Sequence, residues 1–316
     1  MTILVLGSTG LAGSAICRNL ELNNRKFIAA TRKDVNLLDS KAVDQYFSKV
    51  KPNVIIGAAA LVGGMAANIK HPVEFLTNNI TIQNNTIIAA FNNNVDKYIF
   101  LGSSCVYPGK ALSPITEDQL LTGPLEKTNE AYAIAKISGL KLIQSFRDEY
   151  KKNWVSVMPT NLYGPGDNFD LVNSHVLAAL IRKFYEATKR NLAEIVLWGS
   201  GKPRREFMHS DDFASAITFV MDNYNEREPI NIGTGIDISI KELSEMISII
   251  SRYKGEVKWN TEVSDGTYQK MLSVSKLNNL GWKSRITLNE GLKSTYDWFV
   301  ENYANTRLNV PVNLTM

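Results

Sequence analysis

The chain has 316 residues, 44% of them hydrophobic and 21% charged, an ordinary globular composition with material for a large core and one or two domains. Its 35 Lys and Arg against 31 Asp and Glu give a net charge of +4, spread along the chain with no basic block, so neither a nucleic-acid nor a membrane surface is expected. No apolar run is long enough to span a bilayer, and two cysteines without metal-ligand spacing (Cys17, Cys105) read as a reduced, cytoplasmic pattern with no metal site.

Residues 2–6 read as a buried strand, too short and too quickly followed by glycines for a secretory signal. Gly7-Ser8-Thr9-Gly10-Leu11-Ala12-Gly13 comes next, and residues 14–22 continue as a helix. Strand, glycine turn and helix make the arrangement that holds a dinucleotide. The first glycine makes the turn, the second lets backbone N–H groups approach the pyrophosphate, and the third seats the helix close to the strand with its positive end toward the phosphates. Residues 26–30 read as the second strand. An acidic residue at its end would hold the ribose hydroxyls of NAD. Thr31-Arg32-Lys33 stands there instead, and two cations favour a 2′-phosphate, hence NADP(H), with Arg32 as the contact. A solvated loop is the plain alternative.

Asp39-Ser40 can cap a helix to Lys49. Residues 54–57 read as the third strand, ending in small residues over 58–64 against which a cofactor could lie. His71, expected at the surface, precedes a long helix to about residue 93. The apolar run 98–101 reads as the fourth strand and leads into Leu101-Gly102-Ser103-Ser104-Cys105. Farther on stands Tyr132-Ala133-Ile134-Ala135-Lys136. A Tyr and a Lys four residues apart share one helix face. The ammonium is expected to lower the tyrosine pKa, so that the phenol can exchange a proton with an alkoxide, and Ser103 could donate to the same oxygen. The same spacing also occurs on helices whose Tyr is half-buried and whose Lys is solvated. Apolar residues on more than one face of this helix suggest cover by the sheet and by a partner subunit.

Residues 154–158 read as the fifth strand. Pro159-Thr160-Asn161-Leu162 opens a turn-rich loop at its C-terminal end, the edge where open α/β sheets bind ligands. Beyond it the alternation loosens, with helices expected over 175–188, 210–223, 240–253 and 288–302 and strands over 195–198 and 230–232. Asp211 and Asp212 suit a helix first turn, and His209 reads as structural. The expected fold is α/β. A Rossmann-type doubly wound parallel sheet spans residues 1–165 with return segments around 195–232. A smaller, interleaved α/β substrate-binding domain comes from 166–194 and 233–316.

Taken together, Gly7, Gly10, Gly13, Ser103, Tyr132 and Lys136 resemble the extended short-chain dehydrogenase/reductase family, whose members act on nucleotide sugars. The strings at 102–108, 159–168, 174–176, 180–184, 198–201, 205–207 and 265–267 are similar to those of its epimerase–reductase branch, and the likeness covers residues 1–300. The resemblance implies an NADPH-dependent enzyme that inverts carbons 3 and 5 of a GDP-linked 4-keto-6-deoxymannose and then reduces the ketone. A sibling acting on another GDP-4-keto sugar (deoxyheptose or colitose type), or inverting one carbon, is the alternative. A non-catalytic NADP-binding regulator is the remote one.

By the same resemblance Cys105 and His175 form the epimerisation pair, Tyr132 protonates the ketone oxygen, Lys136 holds the ribose and Ser103 orients the oxygen. The cofactor is expected against residues 7–13, Arg32, Leu101, Gly102, Ser103, Ser104, Lys136, Pro159, Thr160, Asn161, Leu162 and His175. The GDP-sugar is expected against Lys183, Trp198, Arg205 and Asp265, with Arg204 and Arg205 not separable in sequence. A homodimer through helices 72–93 and 128–150 is implied. Leu61, Ala178, Tyr268 and Gln269 depart from the family pattern where sugar recognition is expected. On the residues alone, Cys105 also fits a small filler after a strand, and His175 a helix-start residue bonded to backbone.

Overall fold

The computed structural model describes residues 1–262 and 265–306; residues 263–264 and 307–316 of the expected second domain lie outside the described residues. Six parallel strands form the main sheet: β1 (Ile3–Leu6), β2 (Phe27–Ala30), β3 (Val54–Gly57), β4 (Lys97–Leu101), β5 (Val155–Pro159) and β9 (Ile230–Ile232), in the order β2-β1-β3-β4-β5-β9. Alternation along β1 supplies two cores. Ile3 and Val5 enter one cluster with Ile16, Leu20, Phe213 and Ile217, while Leu4 and Leu6 enter another with Phe47, Ile87, Leu140 and Ile143. Helices α1 (Leu11–Leu22) and α7 (Ser210–Asn223) therefore cover one face. Helices α2 (Ser40–Val50), α4 (Pro72–Asn92) and α5 (Glu130–Tyr150) cover the other, and the short α3 (Met65–Lys70) precedes α4. Asp39 caps α2 as expected, its Oδ1 accepting from the Lys41 and Ala42 N–H groups.

The rest of the chain builds smaller sheets. Strand β6 (Asn161–Tyr163) pairs with β8 (Arg204–His209), which is also flanked by β10 (Asp237–Ser239) and β12 (Gln269–Lys270); β7 (Glu194–Trp198) pairs with β11 (Glu256–Asn260). Around them pack α6 (Val176–Lys189), α8 (Ile240–Ser251) and α10 (Leu288–Asn302) over a third apolar cluster, while α9 (Ser275–Asn279) follows β12 and reaches the main sheet through Leu277. Capping boxes start α8 (Ser239 with Glu242) and α10 (Thr287 with Glu290). Within the expected return segment 195–232, only α7 and β9 rejoin the main sheet. Strands β7 and β8 pair outside it, a correction whose cause is the partner strands β6, β10, β11 and β12, too short or too polar to show in the sequence pattern. Among the described residues, no helix is long and apolar enough to cross a membrane.

One buried carboxylate ties the two parts together. Glu206 on β8 is fully buried, and its oxygens accept from the backbone N–H groups of Thr234 (2.6 Å) and Gly235 (2.8 Å) just after β9 and of Leu272 (2.8 Å) after β12. Removing it leaves three donors unpaired, the Leu272 N–H buried and those of Thr234 and Gly235 part-buried. We expect Glu206→Ala to lower the unfolding free energy by about 3 kcal/mol, read from the midpoint of a urea melt, with Glu206→Gln intermediate.

Candidate active site

The glycine loop lies where the strand order reverses, between β1 and β3. Gly7 has φ +73°, and a Cβ there would fall 2.7 Å from Ala59 Cα on the neighbouring loop. A Cβ on Gly13 would fall 2.1 Å from Gly7 O, so the start of α1 packs directly on the turn. Gly10 caps α1 with no side chain, leaving the N–H groups of the first turn open to an anion. Ser8 is tied back to Ala30 O by its N–H and its hydroxyl. Arg32 and Lys33 are exposed at the end of β2, and the one nearby acid, Asp34, is engaged by the N–H and hydroxyl of Thr31 at 2.8 and 2.7 Å. The loop offers free cations and an occupied carboxylate, the polarity a 2′-phosphate needs.

Strand β4 and helix α5 bring the chemical groups together. Lys136 is buried, and its Nζ donates to Leu101 O at 2.8 Å, the last carbonyl of β4. The same Nζ lies 5.8 Å from the centroid of the Tyr132 ring. Burial pushes the Lys136 ammonium down to about 8. Tyr132 departs from the sequence expectation: burial, with the neighbouring Cys105 adding to it and a hydrogen bond from Ser103 opposing, holds its phenol above the usual value. Tyr132 is therefore a protonated donor, not a phenolate. Ser103 lies at the hub, receiving the Cys105 N–H on Oγ at 3.1 Å while bonding Tyr132. Cys105 Sγ is in reach of the Asn129 amide at 3.3 Å.

His175 stands at the N-cap position of α6, without a side-chain cap bond. It stays accessible to solvent, yet the protein crowded around it lowers its pKa, so the imidazole is neutral and can take or give a proton. Its loop is fixed by Asp170, whose Oδ1 accepts from the N–H groups of Val172 and Asn173. It is also fixed by Gly64, whose N–H donates to Asn173 O and whose Cβ would lie 2.3 Å from Ser174 O. In the same loop burial raises the Asp167 carboxyl to about 7. Pro159, Thr160, Asn161 and Leu162 run along the end of β5 into β6, with Thr160 and Asn161 side chains both donating to Glu206 O.

The structure separates the two arginines. Arg204 points away, bonded to Asp237 at 2.9 Å and to Glu242. Arg205 is turned inward: burial lowers its pKa, and Glu126, Cys105 and Asp265 are the groups that act on it in the opposite sense. Lys183 Nζ sits 5.3 Å from the exposed Trp198 ring, and burial lowers its pKa. Asp265 holds the turn after β7, receiving the N–H and hydroxyl of Ser200 at 2.7 and 2.6 Å. His209 caps α7 through Nδ1 and packs edge-on to Tyr163, a structural role. Sequence reading missed Asn129, Glu126 and Asp167. Asn129 stands where an ordinary helix cap is expected, which hid it.

As a donor set, the cleft offers a protonated phenol, a hydroxyl, a thiol, a neutral imidazole and three desolvated cations. It can move protons at carbon and neutralise an alkoxide. We expect Gly13→Ala, which drives a methyl into the Gly7 carbonyl, to weaken NADPH binding more than about tenfold, measured by fluorescence titration.

The profile of the NAD dependent epimerase/dehydratase family matches residues 3–233. The GDP-L-fucose synthase of Escherichia coli (strain K12) is 47% identical over 310 residues, covering 95% of this chain and 97% of that protein. The solved GDP-L-fucose synthetase from Naegleria fowleri bound to NADP superposes with a TM-score of 0.90 at 33% identity, covering 97% and 96% of the two chains. A GDP-6-OMe-4-keto-L-xylo-heptose reductase from Campylobacter jejuni superposes with a TM-score of 0.89 at 34% identity, covering 95% and 98%.

Proposed function

The chain belongs to the NAD dependent epimerase/dehydratase family, and from that premise we propose that it converts GDP-4-keto-6-deoxy-D-mannose to GDP-L-fucose with NADPH. It is an NADP-dependent oxidoreductase with epimerase activity. The observation that carries this is the joining of Ser103, Cys105 and Tyr132 in one hydrogen-bonded cluster, with Lys136 a turn away.

The residues divide the work. The open N-terminus of α1 receives the pyrophosphate, and Arg32 meets the 2′-phosphate. Lys136, with one N–H fixed on Leu101 O, has the others left for the ribose. NADPH supplies the hydride that reduces carbon 4. Before that step Cys105 and His175 exchange protons at carbons 3 and 5, which are acidic because they flank the ketone. Ser103 and Tyr132 face the ketone oxygen, stabilise its negative charge in the enolate and deliver the proton when it becomes a hydroxyl. Arg205 and Lys183 meet the GDP phosphates, Trp198 offers a flat apolar face, and Asp265 shapes the rim.

The sheets divide in keeping with a nucleotide-binding part and a sugar-binding part sharing the cleft. Pairing through α4 and α5 would cover Val73, Ile88, Ile134 and Tyr150, which these helices expose, and gives a homodimer. Two free cysteines fit a cytoplasmic location.

A second reading, a related GDP-4-keto sugar, is favoured by the exposed Tyr268 and by Gln269, whose amide donates to Asp237 at 2.6 Å. Ala178 does not support it, because this residue is buried in the apolar core of the smaller part. The deciding experiment is incubation with NADPH and GDP-4-keto-6-deoxymannose in deuterated water, with the product read by NMR. We expect deuterium at carbons 3 and 5 and NADPH oxidised; label at one carbon, or none, would replace the reading. In that assay Tyr132→Phe should suppress reduction about a hundredfold or more with NADPH affinity retained, and Cys105→Ser should slow labelling.

The pH profile follows from Lys136. Its ammonium is present below about 8 and lost above it, so kcat/KM for reduction should fall on the alkaline side from that point, whereas Lys136→Arg should carry its residual rate to higher pH.

A further inference from the structure

Asn129 stands at the N-cap of α5, where an asparagine ordinarily accepts a hydrogen bond from an N–H two or three residues on. It makes no such bond. Its Nδ2 is directed at Cys105 Sγ, 3.3 Å away, and its Oδ1 is buried without a partner. An asparagine that gives up its cap and leaves a buried acceptor unpaired is poorly explained by stability alone. What it gains is a directed N–H donor on sulfur. A donor of that kind favours the charged form of its acceptor.

We propose that Asn129 is a positioning residue for Cys105, its amide N–H fixing the direction of the sulfur beside Ser103 and Tyr132 and favouring the thiolate as the sulfur takes part in proton transfer. The inference rests on the epimerisation reading above and names what makes the thiol a base. In the step itself the sulfur gains the proton, and the C–H electron pair becomes the enolate. The charge falls on the ketone oxygen faced by Ser103 and Tyr132, and a proton delivered to the other side of the carbon by His175, which takes it up from solvent, restores the ketone inverted.

The other groups acting with the sulfur come from two elements. Tyr132 on α5 is neutral, and a thiolate beside it helps keep it so. Arg205 on β8 supplies positive charge, which it shares with Glu126 and Asp265. Ser103 accepts from the Cys105 backbone and does not reach the sulfur as a partner. Among the described residues, the directed bond to it comes from Asn129.

The test reads the thiol directly. The rate of iodoacetamide alkylation at Cys105, followed by mass spectrometry across pH, gives the thiolate midpoint. Cys17, pushed up to about 11 by burial, serves as the internal reference. Asn129→Ala should raise the Cys105 midpoint by about one unit and slow alkylation about tenfold at neutral pH. Asn129→Asp, which sets a carboxylate beside the sulfur, should raise it further, and Asn129→Ser, which restores a donor, should recover part of the loss. Deuterium labelling should slow in the same order, while NADPH titrations stay as in the parent. Where Asn129→Ala does not fold, the Asp and Ser pair carries the same comparison. Equal midpoints in all variants would overturn the proposal. An Asn129-dependent midpoint in a protein that labels no 4-keto GDP-sugar would uphold the thiolate contact and remove the epimerisation reading instead.

Discussion

The bond from Lys136 to the carbonyl of Leu101 sets the frame for everything around it. An ammonium buried among apolar neighbours is costly unless it is paired, and here a single carbonyl at 2.8 Å answers it, with the Phe100 ring 5.2 Å away. That bond fixes the register of α5 against the end of β4. Tyr132, one turn earlier, is carried over Ser103, and Asn129, one turn earlier again, over Cys105. Three residues spaced by helix geometry thereby meet one at the end of β4 and two just after it.

The close fit of α5 depends on a missing side chain. A Cβ on Gly139 would lie 2.4 Å from the Phe100 ring and 2.6 Å from the Gln83 amide of α4. Gln83 in turn donates to Ala135 O at 2.6 Å and to the Ser138 hydroxyl at 2.7 Å, so α4 and α5 are bonded as well as packed. Phe91, Phe146, Tyr150 and Trp154 continue that contact as a run of tilted rings at the far end. The sheet face that carries the chemistry is thus the rigid one, as a site needing sub-ångström placement requires.

Much of this was legible in the sequence where one residue type answers one physical demand. The glycine loop and the four-residue apolar runs of the parallel sheet each have one good structural solution, and the Tyr–Lys spacing takes its meaning from standing beside them. Helices 210–223 and 288–302 appear with the bounds expected of them. Legibility failed where pairing is short or polar. Strands β6, β8, β10 and β12 contain Asn161, Arg204, Arg205, Glu206, Asp237 and Gln269, and it is their backbone pairing with one another that makes them strands. Arg204 and Arg205 alternate across β8, and only the neighbours Asp237 and Glu242 decide which faces outward. Asn129 was hidden for a different reason, since a helix cap and a thiol partner look alike in one dimension. The tyrosine expectation failed because burial, which sequence spacing does not report, outweighs the nearby ammonium.

Burial also explains the electrostatic character of the cleft. Lys136, Lys183 and Arg205 all have their charged forms disfavoured by desolvation, and His175 is held neutral by the same cause. On the acid side Tyr132 stays protonated and Asp167 sits near neutrality. A cleft whose cations are desolvated is under electrostatic strain that a polyanion relieves. A dinucleotide phosphate and a sugar diphosphate both bring such charge, and each favours the charged form of Lys136 and Lys183 as it binds, while Arg205, charged throughout, gains a partner. Ligand binding and proton uptake are therefore coupled. Lys136, the ammonium on which reduction depends, is charged most fully when both ligands are in place.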